Sequence, residues 1–138
     1  PMKYSNLKFP AHFQDFGLLI LRVAFGMSML YGHGWGKIIR LLGPEEIKFA
    51  DPFGLGPAAS LAMAAFAEGI CSILVVTGLY TRLATLPLII TMCTAFFVSH
   101  VNDPFGQQEK SILFGFTFLA IFFLGAGKYS LDAKIQKL

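Results

Sequence analysis

Residues Leu61–Tyr80 read LAMAAFAEGICSILVVTGLY: one carboxylate, Glu68, among apolar and small residues. A stretch of ~20 predominantly apolar residues is what a helix needs to cross a bilayer. Read outward, the run begins near Pro57, and three more segments of the same kind flank it. They cover about residues 16–39, 82–101 and 110–127, the last containing SILFGFTFLAIFFLGAG. None alternates apolar with polar, so a transmembrane barrel is not indicated. Lipid offers backbone groups no water, which leaves helices as the spanning form. The expectation is one all-α domain over residues 1–138, an integral membrane antiparallel four-helix bundle. The turn GLYTRL is too short for anything but neighbouring antiparallel helices.

Composition agrees. Charged residues make up 14% of the 138 positions and hydrophobic ones 55%, against about 25% charged in an ordinary soluble domain. Mean hydropathy is +0.64. The pI near 9.0 does not signal nucleic acid, because Lys and Arg are scattered over short loops and termini without a basic run. They set topology instead. Lys3, Lys8, Arg82, Lys128, Lys134 and Lys137 fall on one side, and Lys37, Arg40, Lys48 and Lys110 on the other. This bias favours both termini on the cytoplasmic side. The polar start PMKYSNLKFPAHFQDF lacks a short apolar core before a cleavage site, so the first helix is expected to be retained. Cys71 and Cys93 read as small packing residues. The tetrapeptide DPFG occurs twice, at Asp51–Gly54 and Asp103–Gly106, and is good turn chemistry in both places.

Ionisable groups inside spans are costly and usually face the bundle interior with a partner. Arg22, Gly26, Met29 and His33 share one helical face, with about 16 Å along the axis between Arg22 and His33. Glu68 falls near the middle of its span, within reach of an upward-pointing Arg22. Two readings of Glu68 stand together: a structural ion pair with Arg22, and the floor of a ligand cavity. His33, His100 and Glu109 are expected at the outer rim, brought together from three separate segments. Two histidines and a carboxylate suit proton relay, and no spacing certifies a metal. Gly32, Gly34 and Gly36 permit close approach of a helix or a flat ligand. No phosphate loop, dinucleotide fingerprint, haem-attachment motif or Cys-x-x-Cys is present, so any redox chemistry borrows its electron carrier.

The chain resembles the DoxX family of small four-span bacterial and archaeal membrane proteins. The resemblance is carried by Arg22 followed by GHGWGKI, by AEG at Ala67–Gly69, and by TGLYTR at Thr77–Arg82. His100, Glu109 and the ending GAGKYSLD at Gly125–Asp132 complete it. It implies a prokaryotic inner-membrane protein linked to quinones, thiol or oxidative stress and membrane redox complexes, with Arg22, His33, Glu68, His100 and Glu109 as the positions that matter. The expected function is a quinone-linked membrane redox subunit. The quinone head group would be held by His33, His100, Gly34 and Trp35, with His33, His100 and Glu109 as catalytic residues and no metal. Expected partners are the lipid bilayer and further protein, as an oligomer or a larger complex. Two rivals are a non-catalytic assembly subunit and a small transporter or proton conductor using Glu68.

Overall fold

The computed structural model describes residues 9–137. Lys3 and Lys8 of the topology argument, and the first eight positions of the expected domain, lie outside them. The described residues are helical, with no strand among them. Three helices are long and apolar enough to cross a membrane: α1 Ala11–Leu42, α2 Pro57–Thr77 and α3 Thr81–Ser99. A fourth, α4 Phe105–Leu124, has 20 residues. Its opening turns carry Gln107, Gln108, Glu109 and Lys110 and keep it below that standard. A short α5, Leu131–Gln136, follows.

The boundaries have local causes. Helix α1 continues past both expected ends, back to Ala11 and on to Leu42. Its 32 residues measure about 48 Å, more than the ~30 Å of hydrocarbon. Proline at the first position opens α2. Gly78 closes it in the left-handed region at φ 72°, with Leu79 N–H donating to Leu74 (2.9 Å) and Gly78 N–H to Val75 (3.2 Å). These are the paired bonds of a Schellman stop. Pro87 lies inside α3. There the Thr91 hydroxyl donates to the Pro87 carbonyl at 2.8 Å. The two DPFG copies diverge. Asp51 accepts from Leu55 N–H, Gly56 N–H and the Ser60 hydroxyl, all at 2.9 Å, whereas Pro104 of the second copy directly precedes α4.

One end of the helices is held by a polar clasp. The Asp132 carboxylate accepts from Tyr80 N–H (2.7 Å) and Thr81 N–H (2.9 Å), capping α3 from across the chain. Asp132 N–H donates back to the Gly78 carbonyl at 2.8 Å. The Arg82 guanidinium reaches the Phe122 and Phe123 carbonyls at the end of α4 (3.0 and 3.4 Å), where cationic charge is favoured. Lys128 N–H donates to Asp15 of α1 at 3.0 Å.

Between the clasp and the far end, α1 packs along α2, and α3 packs along both α2 and α4. The core is made of Met29, Cys71, Val75, Leu88, Phe118 and Ile121. Lipid is as apolar as these side chains, so association relies on close packing and on small residues that let backbones approach. Cys93, by contrast with Cys71, is exposed.

Candidate functional site

Three short π-turns interrupt the helices: Leu30–Gly34 in α1, Phe66–Ile70 in α2 and Ala95–Ser99 at the end of α3. Each adds a residue to the turn and frees part of the hydrogen-bond ladder, a feature often found at functional sites. The first contains His33, the second contains Glu68 and the third leads into His100.

The first two π-turns pack directly on each other. A Cβ at Gly34 would overlap the Glu68 carbonyl and fall 2.6 Å from Gly69 N. Only glycine fits at position 34, because the obstacle is backbone that cannot move aside. Gly69 meets Ile38 in the same crossing, its would-be Cβ 2.5 Å from Ile38 Cδ1. The crossing fixes depth. By helical rise, Glu68 lies about 16 Å from Pro57 at the start of α2 and His33 about 13 Å from Leu42 at the end of α1. Glu68 stands in the middle of α2, and His33, about 33 Å from Ala11, lies roughly two-thirds of the way along α1.

Glu68 is 5% exposed, and Lys37 Nζ lies 2.7 Å from its Oε2. The contact is an ion pair by distance, although that oxygen has no aligned hydrogen-bond donor. Lys37 sits four residues after His33, on the same side of α1. The His33 ring, half-buried, meets Phe114 of α4 edge-on at 6.0 Å between centroids. The structure thus pairs Lys37 with Glu68 and sets His33, one turn away on α1, against Phe114.

One expectation is corrected. Glu68 does not pair with Arg22. That guanidinium, fully buried, donates instead to the Tyr129 carbonyl and to Val76 O (3.5 Å) in the clasp. The reason is axial: Arg22 stands level with the end of α2, two turns beyond Glu68 along that helix, whereas Lys37 of α1 is level with the acid. Gly78 leaves the room that Arg22 occupies, since a Cβ there would strike the guanidinium and fall 2.5 Å from Ser130 Cβ. His100 ends α3 and has its own partner, Asp103, with Nδ1 2.6 Å from Oδ2. The Gln108 amide donates to the His100 carbonyl at 2.7 Å. Among the described residues no hydrogen bond or ion pair joins His100 to His33. Glu109 is exposed and has no hydrogen bond or ion pair among them either. Trp35 is exposed on α1.

Lys37 is the residue that sequence reasoning missed. It was counted as a loop charge setting topology, and the signal that would have found it is its i+4 spacing from His33 beside the GxGxG run. Among the described residues no group of three His, Cys, Asp or Glu side chains is placed to hold a metal.

With this geometry established, similarity to known proteins is informative. An uncharacterized protein of Haemophilus influenzae is 29% identical over 132 residues, covering 91% of this chain and 95% of that one. No solved structure matches. A family model described as DoxX matches residues 17–101, a stretch that contains Arg22, His33, Lys37, Glu68 and His100. The chain is a membrane protein belonging to the DoxX family.

Proposed function

We propose that this protein is a quinone-linked membrane redox subunit whose His33–Lys37–Glu68 cluster binds the quinone head group. The observation that carries the reading is the buried Lys37–Glu68 ion pair at the crossing of two π-turns, beside His33. A quinone has carbonyl oxygens that accept hydrogen bonds and a flat ring. Lys37 and His33 supply donors, and Phe114 supplies an aromatic wall. Reduction of a quinone takes two electrons and two protons. Glu68 and His33 exchange the protons, and a redox-active partner protein supplies the electrons, consistent with a sequence that carries no cofactor motif of its own.

On this reading α4 also spans, giving an antiparallel four-helix bundle in one domain. The polar first turns of α4 then lie at the membrane surface. The chain sits in a prokaryotic inner membrane with the clasp end cytoplasmic. That end carries Arg82, Lys128 and Lys134, and the opposite side loses Lys37 from its count because Lys37 is buried on Glu68. A second reading, a non-catalytic assembly subunit, is favoured by a different observation. Trp35, Ile39 and Leu42 form an exposed apolar stripe on the last turns of α1, with Leu42 80% exposed, which suits a partner helix.

The test is titration of the nanodisc-embedded protein with a short-tailed ubiquinone analogue, read by quenching of Trp35, the single tryptophan. Saturable binding that weakens in His33→Ala and Lys37→Met supports the redox reading. Binding absent in the wild type, or indifferent to both substitutions, rejects it.

A further inference from the structure

The geometry points to the seam between α1 and α4 as the bed for an alkyl or isoprenoid tail attached to the head group at His33, an inference that rests on the quinone reading above. Helices α1 and α4 meet over less of their length than any other neighbouring pair. A groove of about 280 Å³ lies open along this seam, lined by Leu21, Ile112, Leu113, Phe116, Thr117 and Ala120. Small-molecule pockets start near ~300 Å³, so the groove suits a short stretch of chain rather than a whole ligand. It is apolar throughout, because the one hydroxyl in it, Thr117, is spent on the Leu113 carbonyl at 2.7 Å.

Continuity with the polar cluster selects the occupant. Ile112 and Leu113 immediately precede Phe114, whose ring meets His33 at 6.0 Å and Phe25 at 5.8 Å. Phe25 in turn lies one helical turn along α1 from Leu21. The two aromatic rings therefore stand between the groove and His33, and a tail leaving a head group at His33 would pass beside them into the groove. A second groove, of about 260 Å³, is lined by residues such as Phe66, Leu83, Leu86 and Ile90. It involves no residue of α1 or α4.

The experiment compares two probes on the full chain in nanodiscs: a tail-less dimethoxy-methyl-benzoquinone and its decyl-tailed analogue. Ala120→Phe fills the α1–α4 groove from an exposed position, and Leu86→Phe fills the other. Each probe is compared between variants, so its partition into lipid cancels. The decyl analogue is expected to bind Ala120→Phe about tenfold more weakly than wild type, with the tail-less probe changed by less than about twofold. Leu86→Phe should leave both unchanged. The inference is overturned if Ala120→Phe spares the decyl analogue, if Leu86→Phe is the damaging variant, or if Ala120→Phe alters oligomeric state instead, which would make the groove an interface between copies. Each of these outcomes leaves head-group binding intact. Failure of both probes to bind the wild type would remove the quinone reading itself, and this inference with it.

Discussion

Replacing Lys37 by methionine leaves Glu68 as a lone acid in the middle of a membrane helix. At the observed 2.7 Å, Coulomb attraction amounts to about 6 kcal/mol at an effective dielectric of ~20. Desolvation costs several kcal/mol for each ion and offsets most of that, so the intact pair contributes little net stability. Removing one partner forfeits the attraction and keeps the other ion's desolvation cost, typically about 3–5 kcal/mol. With side chains only 19% and 7% exposed, solvent screening takes little from this figure. Lys37→Met is expected to destabilise by about 3 kcal/mol or more. Glu68→Leu should cost less, because the Lys37 stem can carry its ammonium toward the polar end of α1. The double variant should lie within about 1 kcal/mol of wild type, a coupling of at least ~2 kcal/mol. Reversible denaturation in mixed micelles measures all four proteins. Simple additivity of the two single effects would refute the ion pair and the helix register built on it.

Three further outcomes are expected. Gly34→Ala drives a methyl group into the Glu68 carbonyl and should cost about 1–3 kcal/mol, while Gly32→Ala, with nothing within 4 Å, should be nearly neutral in the same denaturation assay. Asp132→Ala removes the cap on Tyr80 and Thr81 and should lower stability by about 1–2 kcal/mol, with faster amide exchange confined to the start of α3. Asp51 titrates below the ordinary carboxylate range, held there chiefly by the Gly56 N–H bond and next by the Ser60 hydroxyl. Its folded pKa is depressed, so its contribution is complete above the ordinary value of about 3.9 and is lost as pH falls through the lower, folded value. Protection of the Leu55 and Gly56 amides should persist to about pH 4 and collapse below it; Asp51→Asn should flatten that profile, and an unchanged profile would contradict the assignment.

The sequence announced helices and polar residues better than it announced their partners. Twenty-residue apolar runs, Pro57 at a helix start and Gly78 at a helix end carry their own physical meaning, and α2 and α3 fall within three residues of where patterning put them. Pairing was harder, because it depends on how far one helix slides along another. Nothing local in the sequence shows that Gly34 sits on the Glu68 carbonyl, yet that contact sets the slide and decides that Lys37, not Arg22, meets the acid. π-turns added to the difficulty, since each shifts the helical face by one residue and defeats counting at about 100° per position. The TGLYTR and GAGKYSLD segments carried the family resemblance, and their work here is architectural: Gly78, Arg82, Tyr129 and Asp132 close the clasp around Arg22. The candidate chemistry lies at the other signature, GHGWGKI against AEG.

On the proposed reading, a quinone carbonyl meets Lys37 and His33 in the middle of the membrane. Infrared difference spectroscopy with a carbonyl-isotope-labelled short-tailed quinone tests it directly in lipid. The expected result is a carbonyl band shifted to lower frequency than that of the free quinone in the same lipid, with the shift reduced in Lys37→Met. A band at the free-quinone frequency, or a shift that survives Lys37→Met and His33→Ala together, would contradict it.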